Sequence, residues 1–169
     1  MAYSIYQASV PVFLKTLGNL SAILDKGAAF AEEKKVDPKV LLNYRLAPDM
    51  FPLTSQVQNA TDHAKRGTAR LAGIEAPAYD DNETSFAELK ARIDKTLAFI
   101  NPIKPSQVDG AESREIVLKM GGSNRTLTGQ TYLMHHALPN FFFHTTTAYA
   151  ILRHCGVNIG KRDFIGQIF

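Results

Sequence analysis

The sequence predicts an all-α protein, a four-helix bundle with a short β-hairpin ahead of its last helix. Three observations lead there. Apolar residues recur at three- and four-residue steps along four separate stretches, the period of a helix with one buried face. Capping and turn residues punctuate those stretches, and the helical period gives way to strand character only between Glu115 and Thr128. Long helices with one minor hairpin bury a single core as an antiparallel bundle.

In the first stretch Tyr6, Val10, Phe13, Leu17, Leu20 and Leu24 form the stripe, over a helix from Ile5 to Glu33. Pro11 falls early in it, where a missing amide kinks the helix or delays its start to near Val10. Asp37 and Pro38 read as an N-cap and a first-turn proline, opening a short helix through Val40, Leu41 and Leu42 that ends before Pro48.

The second long helix starts at Phe51 or Pro52, turns Leu53, Val57, Ala60, Ala64 and Leu71 inward, and stops near Gly73. Its inner stripe is polar for a core, because Gln56, Asn59 and His63 lie on or beside the face of Val57 and Ala60. Ile74 to Asn82, with Pro77 and paired aspartates, is a loop. Ser85 to Glu88 has the capping-box pattern and opens a third helix with Phe86, Leu89, Ile93, Leu97 and Ile100 inward. Pro102 and Pro105 stop it.

Glu115 to Lys119 and Arg125 to Thr128 form the hairpin around Gly121, Gly122, Ser123 and Asn124. An isolated hairpin is marginal in water, so this one is expected to lie on the helices. The last helix runs from Thr128–Gln130 to about Cys155, with Gly156 as its C-cap and Pro139 kinking or dividing it. Ile159, Phe164, Ile165, Ile168 and Phe169 make the tail too apolar to hang free, so it docks on the bundle or a partner.

Composition narrows the function classes. A chain of 169 residues with 45% hydrophobic content builds one core, so a single domain over 1–169 is expected. Its apolar runs are far shorter than the roughly 20 residues that cross a bilayer, and its first ten residues lack the pattern of a secretory signal. A cytoplasmic, non-membrane protein is the expectation. The net charge of +3 is small and its lysines and arginines are scattered, which argues against nucleic acid. The single cysteine, Cys155, cannot form an internal disulfide and reads as a packing residue. There is no glycine-rich phosphate loop, paired-cysteine zinc knuckle or nucleophile elbow.

What remains is one polar constellation. His136, Asn140 and His144 recur every four residues and share a helix face within about 80°. Two donors at i and i+4 can bind one metal, although the neutral amide oxygen of Asn140 suits zinc, nickel or copper poorly. His144 lies on the broad stripe of Ile151 and Leu152, so it is expected to point inward, where burial demands a partner. Gln56, Asn59 and His63 are the nearest inward-facing supply. His135 and His154 read as surface residues. In the run Phe141–Phe143, part is expected to pack against the hairpin, the tail or another subunit.

Leu46-Ala47-Pro48-Asp49-Met50-Phe51-Pro52-Leu53, Leu138-Pro139-Asn140-Phe141-Phe142-Phe143-His144 and Ala148 through Val157 resemble an uncharacterised, domain-of-unknown-function family grouped with the DinB-like helix bundles. The resemblance spans essentially the whole chain. It implies an up-down-down-up four-helix bundle, often a homodimer, with an interhelical pocket. In metal-binding members of that superfamily one histidine of the second helix and a His-x-x-x-His pair on the last hold a divalent cation, and several are thiol-dependent transferases or isomerases. Here the second histidine of the pair falls on His144 and the first on Asn140. The second-helix histidine falls near Gln56 or Asn59, with His63 about one turn further on.

Two readings follow. In one, a metal-dependent transferase or hydrolase uses His144 with His63 or His136, joined by Asn140 or Asp49, to hold a divalent metal such as zinc or nickel that activates water or a thiol. In the other, a small molecule binds a polar pocket of Gln56, Asn59, His63, Asn140 and His144, a degenerate form of the metal site, or the network simply fixes helix register. The amides at the expected ligand positions favour the second reading.

Overall fold

The computed structural model describes residues 4–167. The chain is mostly helical, with a two-stranded antiparallel hairpin before the last long helix. In order the elements are α1 (Val10–Lys34), α2 (Pro38–Leu42), α3 (Leu53–Ala72), α4 (Phe86–Ile100), α5 (Pro105–Val108), a 3-10 turn (Ala111–Ser113), β1 (Glu115–Met120), β2 (Ser123–Thr128), α6 (Gly129–Tyr132), a π-helical turn (Leu133–Ala137), α7 (Leu138–His154) and α8 (Lys161–Ile165). The long helices α1, α3, α4 and α7 pack chiefly as α3 on α7, α1 on α4, α3 on α4 and α1 on α7.

Pro11 delays α1 to Val10, five residues later than the apolar stripe suggests. Ile5 is buried all the same, within a turn where the Ser9 hydroxyl donates to its carbonyl across 2.6 Å. Asp37 caps α2 by accepting from the Lys39 amide, and Gly73 ends α3 in the left-handed region at φ 68°. At α4 the Ser85 hydroxyl accepts from the Glu88 amide, but the Glu88 carboxylate accepts from the amide and hydroxyl of Thr84, so the box closes one residue early.

The hairpin is longer than its apolar residues suggest, because Gly121 and Gly122 alone make the turn, both at positive φ. Ile116 and Leu118 are buried while Val117 faces solvent, so one face of β1 lies on the helices. Gly129 opens α6 against the backbone of Ala111, at a distance that no side chain could share.

Pro139 has no amide to give the fourth preceding carbonyl. The chain answers one turn earlier: residues 133–137 widen into a π turn, with the Leu138 amide donating to the Leu133 carbonyl. α7 then continues unbroken through Pro139 to His154. This turn, in place of a kink at the proline, sets the direction of His136.

α8 docks on α1, as the apolar tail requires. The Asn19 amide donates to the Phe164 carbonyl (2.9 Å), Lys26 pairs with Asp163 (2.6 Å), and the Phe164 ring meets Tyr149 edge-on. Ile159 is buried; Ile168 and Phe169 lie outside the described residues. Of the aromatic run, Phe141 packs edge-on against Phe13 of α1, while Phe142 and Phe143 are exposed. Consecutive helical residues stand about 100° apart, so three in a row cannot share one core face.

One charged cluster is buried where α3 meets α4. Arg92 donates to the Thr61 hydroxyl, the Asp80 carbonyl and Glu83, and pairs with Asp62 and Asp81. Lys65, 1% exposed, pairs with Asp62 at 3.0 Å and lies over the ring of Tyr79. The connection from α3 to α4 is thereby strapped to both helices.

Candidate functional site

The site forms where α3 meets α7 and the π turn. Asn59, His63, Arg66 and Arg70 fall within about 60° on one stripe of α3. Across from them, His136 and His144 set their rings against His63 and Tyr132 accepts from Arg70, with Asn140 and Phe143 on the same side of α7 by helical spacing. Most of these side chains are half-buried, Tyr132 and His144 are buried, and Arg66 and Phe143 are exposed, so the seam runs from the core to the surface.

His144 points inward, 7% exposed, and its Nδ1 lies 2.7 Å from Oε1 of Gln56. The direction of that bond follows from the next one. Gln56 Nε2 donates to the Phe51 carbonyl (3.0 Å), which can only accept. Its Oε1 therefore accepts from His144, which carries its proton on Nδ1 and presents the Nε2 lone pair.

His63 stands between two other imidazoles. Its ring stacks on that of His144, with centroids 5.5 Å apart and planes 15° apart, and meets the His136 ring edge-on at 5.8 Å. His136 stacks in turn on Tyr132, whose hydroxyl oxygen accepts from Arg70 across 3.0 Å. Burial, the neighbouring His144 and His136 and the Arg66 guanidinium hold His63 down to about 4, against the weaker opposite pull of Asp62. Burial lowers His144, and burial with the field of Arg70 lowers His136. All three rings are neutral near pH 7, able to accept or donate hydrogen bonds and to take a proton from an acidic group brought against them.

The expected residues divide into two groups. Gln56, His63 and His144 are in direct contact as the inward reading of His144 requires. Asn140 and Asn59 instead turn their amides onto their own helices, toward the His136 carbonyl (2.7 Å) and the Ser55 carbonyl (2.8 Å). Asp49 is exposed in the turn before α3. His135 and His154 are exposed, the latter against Tyr44. Cys155 is half-buried and burial pushes its thiol up, away from the reactive thiolate. Sequence spacing alone does not bring out Tyr132, Arg66, Arg70 or the engagement of His136 with His63. The recurrence of Asn59, His63, Arg66 and Arg70 at steps of four, three and four was the signal available for the α3 half.

A divalent metal, which the DinB-like resemblance implies, fits these donors poorly. Gln56 is held at both ends, and what Asn140 leaves free is a neutral amide oxygen, a weak donor for zinc, nickel or copper. Of the positions carried over from the resemblance, only His144 offers a nitrogen lone pair. Among the described residues no three histidine, cysteine or carboxylate side chains are grouped to hold a metal ion.

A mostly helical chain with a hairpin before its last long helix and a polar seam across two helices is of the DinB-like class. A crystal structure of a DinB family member protein from Shewanella denitrificans is 47% identical, with a TM-score of 0.89 over 97% of this chain and 93% of that one. Residues 5–165 match the family described as Domain of unknown function (DUF1993), and the chain belongs to that family. Comparison with curated proteins gives no match. Among the described residues no helix is long and apolar enough to cross a membrane.

Proposed function

We propose that this protein binds a small molecule at the α3–α7 seam, in a site laid out like the metal site of DinB-like bundles but lacking its donor set. The observation that carries this reading is Gln56, which stands near the second-helix ligand position with its carbonyl on His144 and its amide on Phe51. The side chain closes a hydrogen-bonded network there. His144 Nε2 and the neutral ring of His63 are left as the polar contacts offered to a ligand. The pairing of the long helices, α1 on α4 and α3 on α7, supports the up-down-down-up bundle as the frame.

Elemental analysis of protein purified without a histidine tag tests the reading. Metal well below stoichiometric, unchanged in His144→Leu, is the expected result. Near-stoichiometric metal lost in His144→Leu would overturn it and restore a metal-dependent transferase or hydrolase.

A further inference from the structure

We infer that the α3–α7 seam takes a small organic acid, with its carboxylate on Arg66 and Arg70 and its apolar body over the imidazoles of His63 and His144 beside Phe143. This rests on the small-molecule reading and names the class of molecule.

The charge distribution along the seam points to an anion. Arg70 is half-buried, donates to the neutral Tyr132 hydroxyl, and forms no ion pair among the described residues. A partly desolvated guanidinium without a carboxylate beside it is an incomplete pair. Arg66 pairs with Asp62 at 2.6 Å, but the same carboxylate also meets Lys65 and Arg92, each at 3.0 Å. One negative charge is thus shared by three cations, and Asp81 and Glu83 go to Arg92. The seam keeps a positive excess at its Arg66–Arg70 end.

Burial is the main cause that lowers His63 and His136, and the nearby arginines add to it, with Asp62 opposing at His63. Arg66 and Arg70 act on His63 and His136 in the direction that disfavours a proton. A field that resists adding positive charge at those rings favours negative charge there. A planar guanidinium with five N–H donors matches a carboxylate in two-point contact, and the contacts described use one donor of each arginine.

The other end of the seam carries the imidazoles and one exposed aromatic ring. Phe143, 55% exposed, sets its ring edge-on to His144 at 5.3 Å. Along the helix axis Arg66 is about 4.5 Å and Arg70 about 10 Å from His63, and helical side chains lean back toward the N-terminus, so a short arylalkanoic acid reaches from imidazole to guanidinium.

Phenylacetate and its uncharged counterpart phenylacetamide are the probes, with binding read from the imidazole resonances of His63, His136 and His144. Phenylacetate should shift all three saturably, and phenylacetamide should bind at least about tenfold more weakly. Arg70→Gln should weaken phenylacetate by about tenfold, with Arg70→Lys recovering part of the loss because it keeps the charge. Equal affinity for acid and amide, or indifference to Arg70→Gln in a folded variant, overturns the acid assignment and leaves the small-molecule reading standing. Failure of both probes to move any of the three histidines counts against both.

Discussion

His144 on α7 donates its Nδ1–H to Oε1 of Gln56 on α3 across 2.7 Å, and Gln56 passes its amide on to the Phe51 carbonyl. A buried bond thus joins α7 to α3 across 88 residues, a part-buried one ties Gln56 to the turn just before its own helix, and the two aim the free Nε2 of His144. Gln56→Leu strands both the imidazole donor and the Phe51 carbonyl, at a cost of about 1–3 kcal/mol. The double variant Gln56→Leu/His144→Leu should recover part of that, since two apolar partners leave less unsatisfied. Denaturant titration of the cycle checks this; strict additivity within about 0.5 kcal/mol would show the two residues to be uncoupled.

Acid should destabilise the protein through His63. The unfolded chain takes up that proton near pH 6.5, whereas the folded chain takes it up only near 4. Between those values the unfolded state binds more protons. Stability is therefore full above 6.5, falls as pH is lowered to about 4, and loses nothing more to this group below that. His136 and His144, also lowered, act in the same direction. The melting temperature followed from pH 7.5 to 5 should decline, and His63→Phe should flatten the decline. An equal slope in wild type and His63→Phe would show that the ring is not held neutral.

Arg92→Met should cost about 3–5 kcal/mol, because it strips from the largely buried Glu83 carboxylate its one cation among the described residues, while Asp62 keeps Lys65 and Arg66. Hydrogen exchange should rise first in residues 74–85, the connection that Arg92 straps to α3 and α4. Uniform exchange changes across the chain would contradict a local clasp.

Gly129→Ala should destabilise by more than about 2 kcal/mol. A β-carbon there would overlap the Ala111 carbonyl oxygen, and backbone has nowhere near to move. Thermal unfolding reads the effect, and a wild-type melting temperature would show that the contact is loose.

Much of this arrangement was legible in the chain because helical period and capping chemistry agree. The spacing of His144 to Ile151 and Leu152 turns the imidazole inward, and Gln56 and His63 meet it from the one helix whose inner stripe is polar. Asn59 lies beside Gln56 and His63 on α3, and Asn140 one turn before His144 on α7, yet their short side chains reach their own preceding carbonyls before they reach a neighbour. His136 depends on a π turn that no periodicity announces; Pro139 signals an irregularity without saying on which side it falls. The buried Lys65 and Arg92 run against the rule that charges face water, and their burial is made tolerable by Asp62 on α3 together with Tyr79 and Glu83 of the connection between α3 and α4.

The three imidazoles themselves offer the most direct test. Long-range proton–nitrogen correlation at neutral pH reads the protonation state of each ring nitrogen, before and after an equivalent of zinc. The account predicts neutral rings at His63, His136 and His144, with the His144 proton on Nδ1 and signals unmoved by zinc. A His144 proton on Nε2, or joint shifts of His63, His136 and His144 with stoichiometric zinc, would contradict it.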